Sequence, residues 1–235
     1  KDGMIRTPED MAWLEAMVNA GNTFLPNKTI DKKGIWYGDY IYSDVNGDGV
    51  YGDANDYMFQ GTSQTPKFYY GLQFELGWKG IDFSMLWNGA GGSAAYWRYV
   101  GFNAYSTLYH FTLPKKIAYD HYFYDPMNPE DPRTNITSKH GRLTMNYGSE
   151  QNGANAYSTL FLYKTDYLRL KNVTLGYTFP EKWMRKAHIS SLRVFFSGEN
   201  LLTFTEWPGM DPEITDKMNY YALLRQYSFG LSIKF

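Results

Sequence analysis

The sequence predicts an all-β fold of long antiparallel strands, and three observations carry that expectation. Apolar and polar residues alternate with a period of two over long stretches, aromatic residues make up 19% of the chain, and the connections between alternating stretches are sharply unequal in length. The 235 residues include no cysteine, which excludes a disulfide framework, a thiolate zinc site and a cysteine nucleophile. With 23 basic against 24 acidic side chains there is no net field to draw phosphate backbones, so no nucleic-acid partner is expected.

The elements follow in order. Thr7-Pro8-Glu9-Asp10 reads as a helix start, with Thr as N-cap, Pro at the first helical position and acids near the positive end of the helix dipole. Met11, Leu14, Met17 and Val18 recur at helical spacing to about Asn19, and Gly21 stops the helix. From residue 67 the period becomes two. Phe68, Tyr70, Leu72, Phe74, Leu76 and Trp78 fall on one face of a strand over 67–79, with Tyr69, Gly71, Gln73, Glu75 and Gly77 on the other. Lys79-Gly80 turns the chain into a second strand over 81–90, where Ile81, Phe83, Met85 and Trp87 oppose Asp82, Ser84 and Asn88. Three more strands are expected over 165–179, 191–204 and about 225–235, the first stopped by Pro180 and the last alternating from Tyr227 through Phe229, Leu231 and Ile233 to Phe235.

No apolar run approaches the ~18–20 residues of a membrane helix, and the mean hydropathy is −0.50. A transmembrane β-strand needs only ~9–11 alternating residues, so these values exclude helical membrane proteins and leave barrels open. The loop lengths favour a barrel. Short turns at 79–80 and 180–190 alternate with long connections at about 91–164 and 205–224, as when short turns face the periplasm and long loops face outside. The parts are then an external loop over 1–66 with the helix and an acidic segment, a hairpin over 67–90, an aromatic-rich external loop over 91–164, and three strands over 165–235 with the loop 205–224. Five strands cannot close on themselves, so these are expected to be strands of a larger antiparallel transmembrane β-barrel.

Several motifs stand in one order: Asp44-Val45-Asn46-Gly47-Asp48-Gly49, Tyr167-Leu168-Arg169-Leu170-Lys171-Asn172-Val173-Thr174-Leu175-Gly176-Tyr177, Ser191-Leu192-Arg193-Val194 leading to Gly198-Glu199-Asn200-Leu201-Leu202-Thr203, and Tyr227-Ser228-Phe229-Gly230-Leu231-Ser232-Ile233-Lys234-Phe235. Together they resemble the C-terminal part of SusC/RagA-type TonB-linked outer-membrane transporters. The resemblance implies a 22-stranded barrel in the outer membrane of a Gram-negative bacterium, plugged by an N-terminal domain and energised by the TonB complex. It also implies a SusD-like surface lipoprotein as partner and oligosaccharides, or peptides, as cargo. The plug and the TonB-contacting segment would lie outside these residues.

Four sets of residues are candidates for function. Asp44, Asn46 and Asp48 with Gly49 match the opening of a calcium loop, with Val50, Asp53 and Asp56 as further ligands; Asn55 stands where a closing Glu is usual. The alternative is an acidic turn whose side chains cap local backbone groups. Tyr96, Trp97, Tyr99, Tyr105, Tyr122 and Tyr124 could stack on a substrate or anchor a protein partner, or form an internally packed cluster. Trp78 and Trp87 fit the aromatic girdles at membrane interfaces. Tyr227, Phe229 and Phe235 in the last alternation resemble a barrel-assembly signal.

The four histidines show no metal spacing and no nucleophile–base set appears, so an enzyme is not expected. The competing reading is a secreted carbohydrate-binding β-sandwich with structural calcium. A sandwich buries one strand face against a second sheet, whereas a barrel turns it to lipid.

Overall fold

The computed structural model describes residues 3–97, 115–143, 158–215, 221 and 223–235. The chain divides into two units, Lys1–Gly61 with Tyr96–Leu162 and Thr62–Ala95 with Tyr163–Phe235.

The second unit is built on a five-stranded antiparallel sheet of β3 (Phe68–Trp78), β4 (Ile81–Gly91), β7 (Tyr167–Thr178), β8 (Ser191–Thr205) and β9 (Gln226–Lys234), in that spatial order. Each strand lies beside its nearest long neighbour in sequence. The β3–β4 turn places Lys79 at φ 45° and Gly80 at φ 88°, two left-handed residues whose twist matches the flanking strands. Pro180 ends the pairing after β7, and a short helix, Glu181–Met184, leads toward β8.

Pairing sorts the side chains by face. Leu72, Phe74 and Leu76 lie opposite Trp87, Met85 and Phe83, and those rows continue through Leu170, Val173 and Leu175 into β8 and β9. The other face carries Gln73, Glu75, Asp82, Ser84, Asn88, Arg169, Asn172, Thr174, Arg193, Ser197 and Thr203. The even positions of Leu168 and Leu170 and the odd positions of Val173 and Leu175 share one face because Lys171 is a bulge: Leu86 pairs Asn172 and the next residue, Trp87, pairs Leu170. On β8 the slip is absorbed at Asn200, φ 52°, between the pairs Asn172–Glu199 and Leu170–Leu202. A uniform period along 165–179 hides this kink, and the structure shows that it keeps the sheet two-faced.

Close approach accounts for one glycine. A Cβ on Gly176 would lie 2.5 Å from Arg193 Nη2 and from both carboxylate oxygens of Asp82. The glycine therefore lets an ion pair span β7, with Arg193 Nε donating to Asp82 Oδ1 at 3.0 Å from β8 to β4.

Among its described residues the first unit has little regular structure. Helix α1 (Pro8–Asn19) begins as expected: Asp10 N–H donates to Thr7 Oγ1 at 3.4 Å, and Thr7 N–H donates back to Asp10 Oδ2 at 3.1 Å. After it, β1 (Thr23–Phe24) pairs in parallel with β2 (Val50–Tyr51), and a helix absent from the sequence expectations, α2 (Lys115–Tyr119), precedes Tyr122. Met4, Ile5, Leu14, Phe24, Ile35, Ile117, Tyr122 and Phe161 form the core. Buried Asp39 accepts from Arg142 Nε at 2.8 Å and Nη2 at 2.9 Å, and Arg142 Nη1 also reaches the Lys32 carbonyl at 3.2 Å. Gly38 sits at φ 85° where a Cβ would lie 2.3 Å from the Tyr122 ring. Gly38→Ala is therefore expected to destabilise this unit by roughly 2–4 kcal/mol through left-handed strain and overlap. Limited trypsinolysis should show cleavage within 1–61 at lower temperature than in the parent.

Candidate functional site

The site grows from the two-faced sheet. Among the described residues no second sheet packs on its apolar face: the other two sheets are the two-stranded pairs β1–β2 and β5 (Ala94–Tyr96) with β6 (Leu162–Lys164). Leu76 stays 56% exposed, Leu202 46% and Phe229 84%. That distribution opposes the sandwich reading, in which this face is a core.

Aromatics mark both ends of the apolar face. At the turn end stand Trp78, whose ring carries Lys79 Nζ at 4.9 Å, and Tyr177 edge-on to Phe179 at 4.9 Å. Toward the loop end Trp87 stacks with Phe204 at 6.4 Å; Phe196, in the row of Phe83 and Leu175, stacks with Tyr227 at 6.2 Å. Trp78 pairs with Ile81, so Trp87 lies six residues up β4, about 20 Å along an extended strand. Phe229 packs on Phe196 at 5.1 Å, and Phe235 is 88% exposed.

The polar face carries a buried charge cluster near the loop end. Arg169, only 1% exposed, donates from Nη2 to both oxygens of Asp211 at 3.0 Å, from Nη1 to Glu213 Oε2 at 2.6 Å and from Nε to Thr203 Oγ1 at 3.1 Å. Its guanidinium lies 5.2 Å from the Tyr167 ring, and the Tyr167 hydroxyl donates to Glu213. Arg169 was visible in the sequence only as part of a strand motif. The pattern could have singled it out as a cation on the polar face of a strand, but its partners lie in a loop with no periodicity.

The acidic segment is a network of self-capped turns. Asp44 Oδ1 accepts from Gly47 N–H at 2.6 Å and Oδ2 from Gly49 N–H at 2.9 Å; Asp48 Oδ1 accepts from Val50 N–H at 2.8 Å. Asp56 accepts from Val45 N–H at 2.6 Å and Gly52 N–H at 2.7 Å, and Asp53 from Asn55 N–H at 2.8 Å. Val50 belongs to β2. Among the described residues no three His, Cys, Asp or Glu side chains converge as a metal site, and the carboxylates cap local backbone N–H groups.

The loop aromatics divide. Trp97 and Tyr122 are buried: Trp97 N–H donates to the Phe161 carbonyl at 2.7 Å, and the Tyr122 hydroxyl donates to the Arg6 carbonyl at 2.5 Å. Burial pushes the Tyr122 phenol well above its ordinary pKa. Tyr124 is half-buried, edge-on to Tyr37 at 5.1 Å, and Tyr96 is half-buried as well. Tyr99 and Tyr105 lie outside the described residues. Tyr119, 80% exposed, presents the most surface among the described loop tyrosines of 91–164.

Comparison with known proteins decides between the two architectures. No family model matches the chain. Over 89 residues it is 36% identical to the TonB-dependent receptor P3 of Formosa agariphila, covering 32% of this chain and 9% of that protein. Over 81 residues it is 30% identical to the TonB-dependent receptor SusC of Bacteroides thetaiotaomicron, covering 33% of this chain and 8% of that one. Its fold matches the RagAB peptide importer in the closed-closed state with a TM-score of 0.61 and 26% identity, over 87% of this chain and 22% of that one. The open-open state matches with a TM-score of 0.61 and 24% identity, over 84% and 21%. These likenesses are to parts of SusC/RagA-type TonB-dependent transporters. It spans about a fifth of the solved RagAB chains, and its matches span under a tenth of the two curated relatives. These SusC/RagA-type relatives are receptors and importers, not enzymes.

The acidic segment yields a pH prediction. Partial desolvation opposes ionisation of Asp56, but N–H donors from Val45, Gly52 and Asp53 outweigh it and hold its pKa below the ordinary 3.8. Folding stabilisation from Asp56 is then fully present above pH 3.8 and is lost as pH falls through the lower folded value. Amide exchange at Val45 and Gly52 should accelerate below that point and slow again on return to neutrality. If the segment is a capped turn alone, a chelator at neutral pH leaves both amides unchanged; slower exchange on adding millimolar Ca²⁺ would support the cation reading.

Proposed function

We propose that the whole protein is an outer-membrane active transporter and that this chain is a C-terminal portion of its barrel. The observation that carries the reading is the uncovered apolar face of the five-stranded sheet, continuous across all strands and bounded by aromatics at both ends. Exposed apolar surface of this extent costs too much in water, and lipid is the solvent that removes the cost. Trp78 and Trp87 would sit at the two interfaces, their separation of about 20 Å along the strand suiting an apolar band of about 25 Å.

The outer edges of β3 and β9 have no partner strand among the described residues. In lipid each edge must be paired, so further strands close the sheet, to 22 by the family's pattern. Tyr227, Phe229 and Phe235 would then present the barrel-assembly signal. Short turns would face the periplasm, and the first unit and the 205–224 connection the outside, where a SusD-like lipoprotein would cap the pore. The plug and TonB contact belong to parts of the protein beyond this chain. The cargo is an oligosaccharide or a peptide, imported at the expense of the TonB-coupled proton gradient.

The reading is tested on the full-length protein in its own cell. Deleting its gene is expected to reduce uptake of one glycan or peptide pool to background, and a protonophore should do the same in the parent strain. The protein should fractionate with the outer membrane and run as a compact band on gels until boiled. Recovery as a folded monomer from the soluble fraction would contradict the proposal.

A further inference from the structure

The cluster on Arg169, with the Tyr167 hydroxyl beside it, joins β7 to the connection that follows β8. Arg169 points from the polar face of β7, while Asp211 and Glu213 belong to the connection that leaves β8 at Thr205. Thr205 Oγ1 donates to the Asp166 carbonyl at 2.8 Å and accepts from Trp207 N–H at 3.1 Å, which starts the connection toward β7. Asp211 Oδ1 also accepts Glu213 N–H at 2.9 Å, so both carboxylates are aimed from one turn. The result is a stretch over 206–213 folded inward over the polar face.

We propose that Arg169 is a positioning residue for solute entry: it clamps residues 207–213 onto the polar wall, so that the last long connection narrows the pore mouth. This rests on the transporter reading, in which the polar wall lines the pore. Two carboxylates share one guanidinium, so removing the cation leaves two acids facing each other with only the Tyr167 hydroxyl donating to Glu213. The two acids are not equivalent. The Asp211 side chain is 6% exposed and bound through both oxygens, whereas that of Glu213 is 37% exposed.

The test uses the full-length transporter, assembled and extracted in detergent, with a nitroxide on a single cysteine replacing Met210, a 68% exposed side chain in the clamped stretch. R169Q and D211N are expected to raise the mobile population of the label about 100-fold or more, and E213Q about tenfold or less. The triple variant should be no more mobile than R169Q, because all three changes break one unit. In cells, R169Q and D211N should admit solutes larger than the parent accepts, a shift in size cut-off that mere loss of stability does not produce. A label as immobile in R169Q as in the parent, or fully additive effects, would overturn the clamp. Should R169Q fail to give the heat-sensitive compact band, D211N alone decides. Failure of the transporter reading is seen separately, as absence of the parent from the outer membrane, and the label still reports on the clamp in that case.

Discussion

A sheet that places an apolar side chain at every second position, on the same side of every strand, has to put that side somewhere other than water. The second unit does this over five strands and supplies no cover for it among the described residues. Everything else in the unit is arranged around keeping the two faces distinct. The Lys79-Gly80 turn sets the register of the first pair, and the bulge at Lys171 with Asn200 opposite corrects the phase of the third and fourth strands. A slip of one residue in any strand would carry its charges, Arg169 or Asp82 among them, to the apolar side.

The polar face is organised by ion pairs that cross strands. Near the turn end Arg193 reaches Asp82 across the space that Gly176 leaves free. Near the loop end Arg169 gathers Asp211 and Glu213. The first pair is half exposed, and screening leaves it a small energetic role. The second is dry on the arginine side, where removing one partner strands a buried charge, so it constrains chain geometry far more strongly.

The strands, the tight turn and helix α1 were legible in the sequence because each rests on local chemistry: a period of two, a left-handed dipeptide, a Thr-Pro start. The bulge left a trace, the change from even to odd apolar positions between Leu170 and Val173, which a strand read as uniform overlooks. The Arg169 clamp left none, since its partners lie 42 and 44 residues away in an aperiodic loop. The first unit was opaque for the same reason. Its order comes from long-range bonds such as Arg142 to Asp39 and Gly141 N–H to the Tyr40 hydroxyl at 2.7 Å, and Trp97 and Tyr122 are buried in it instead of lying on its surface. The acidic segment showed its residues but not their use, because a carboxylate that caps backbone N–H groups and one that awaits a cation have the same spelling.

The central claim is that the apolar face meets lipid and the polar face meets water. Because the chain has no cysteine, single cysteines placed along β3 can be read without background from it. In intact outer membranes a small hydrophilic maleimide should label cysteines at Gln73 and Glu75 and leave those at Leu72 and Phe74 unmodified, with brominated lipid quenching a fluorophore only at the latter pair. Equal labelling along the strand, or quenching at Gln73 and Glu75, would contradict the account.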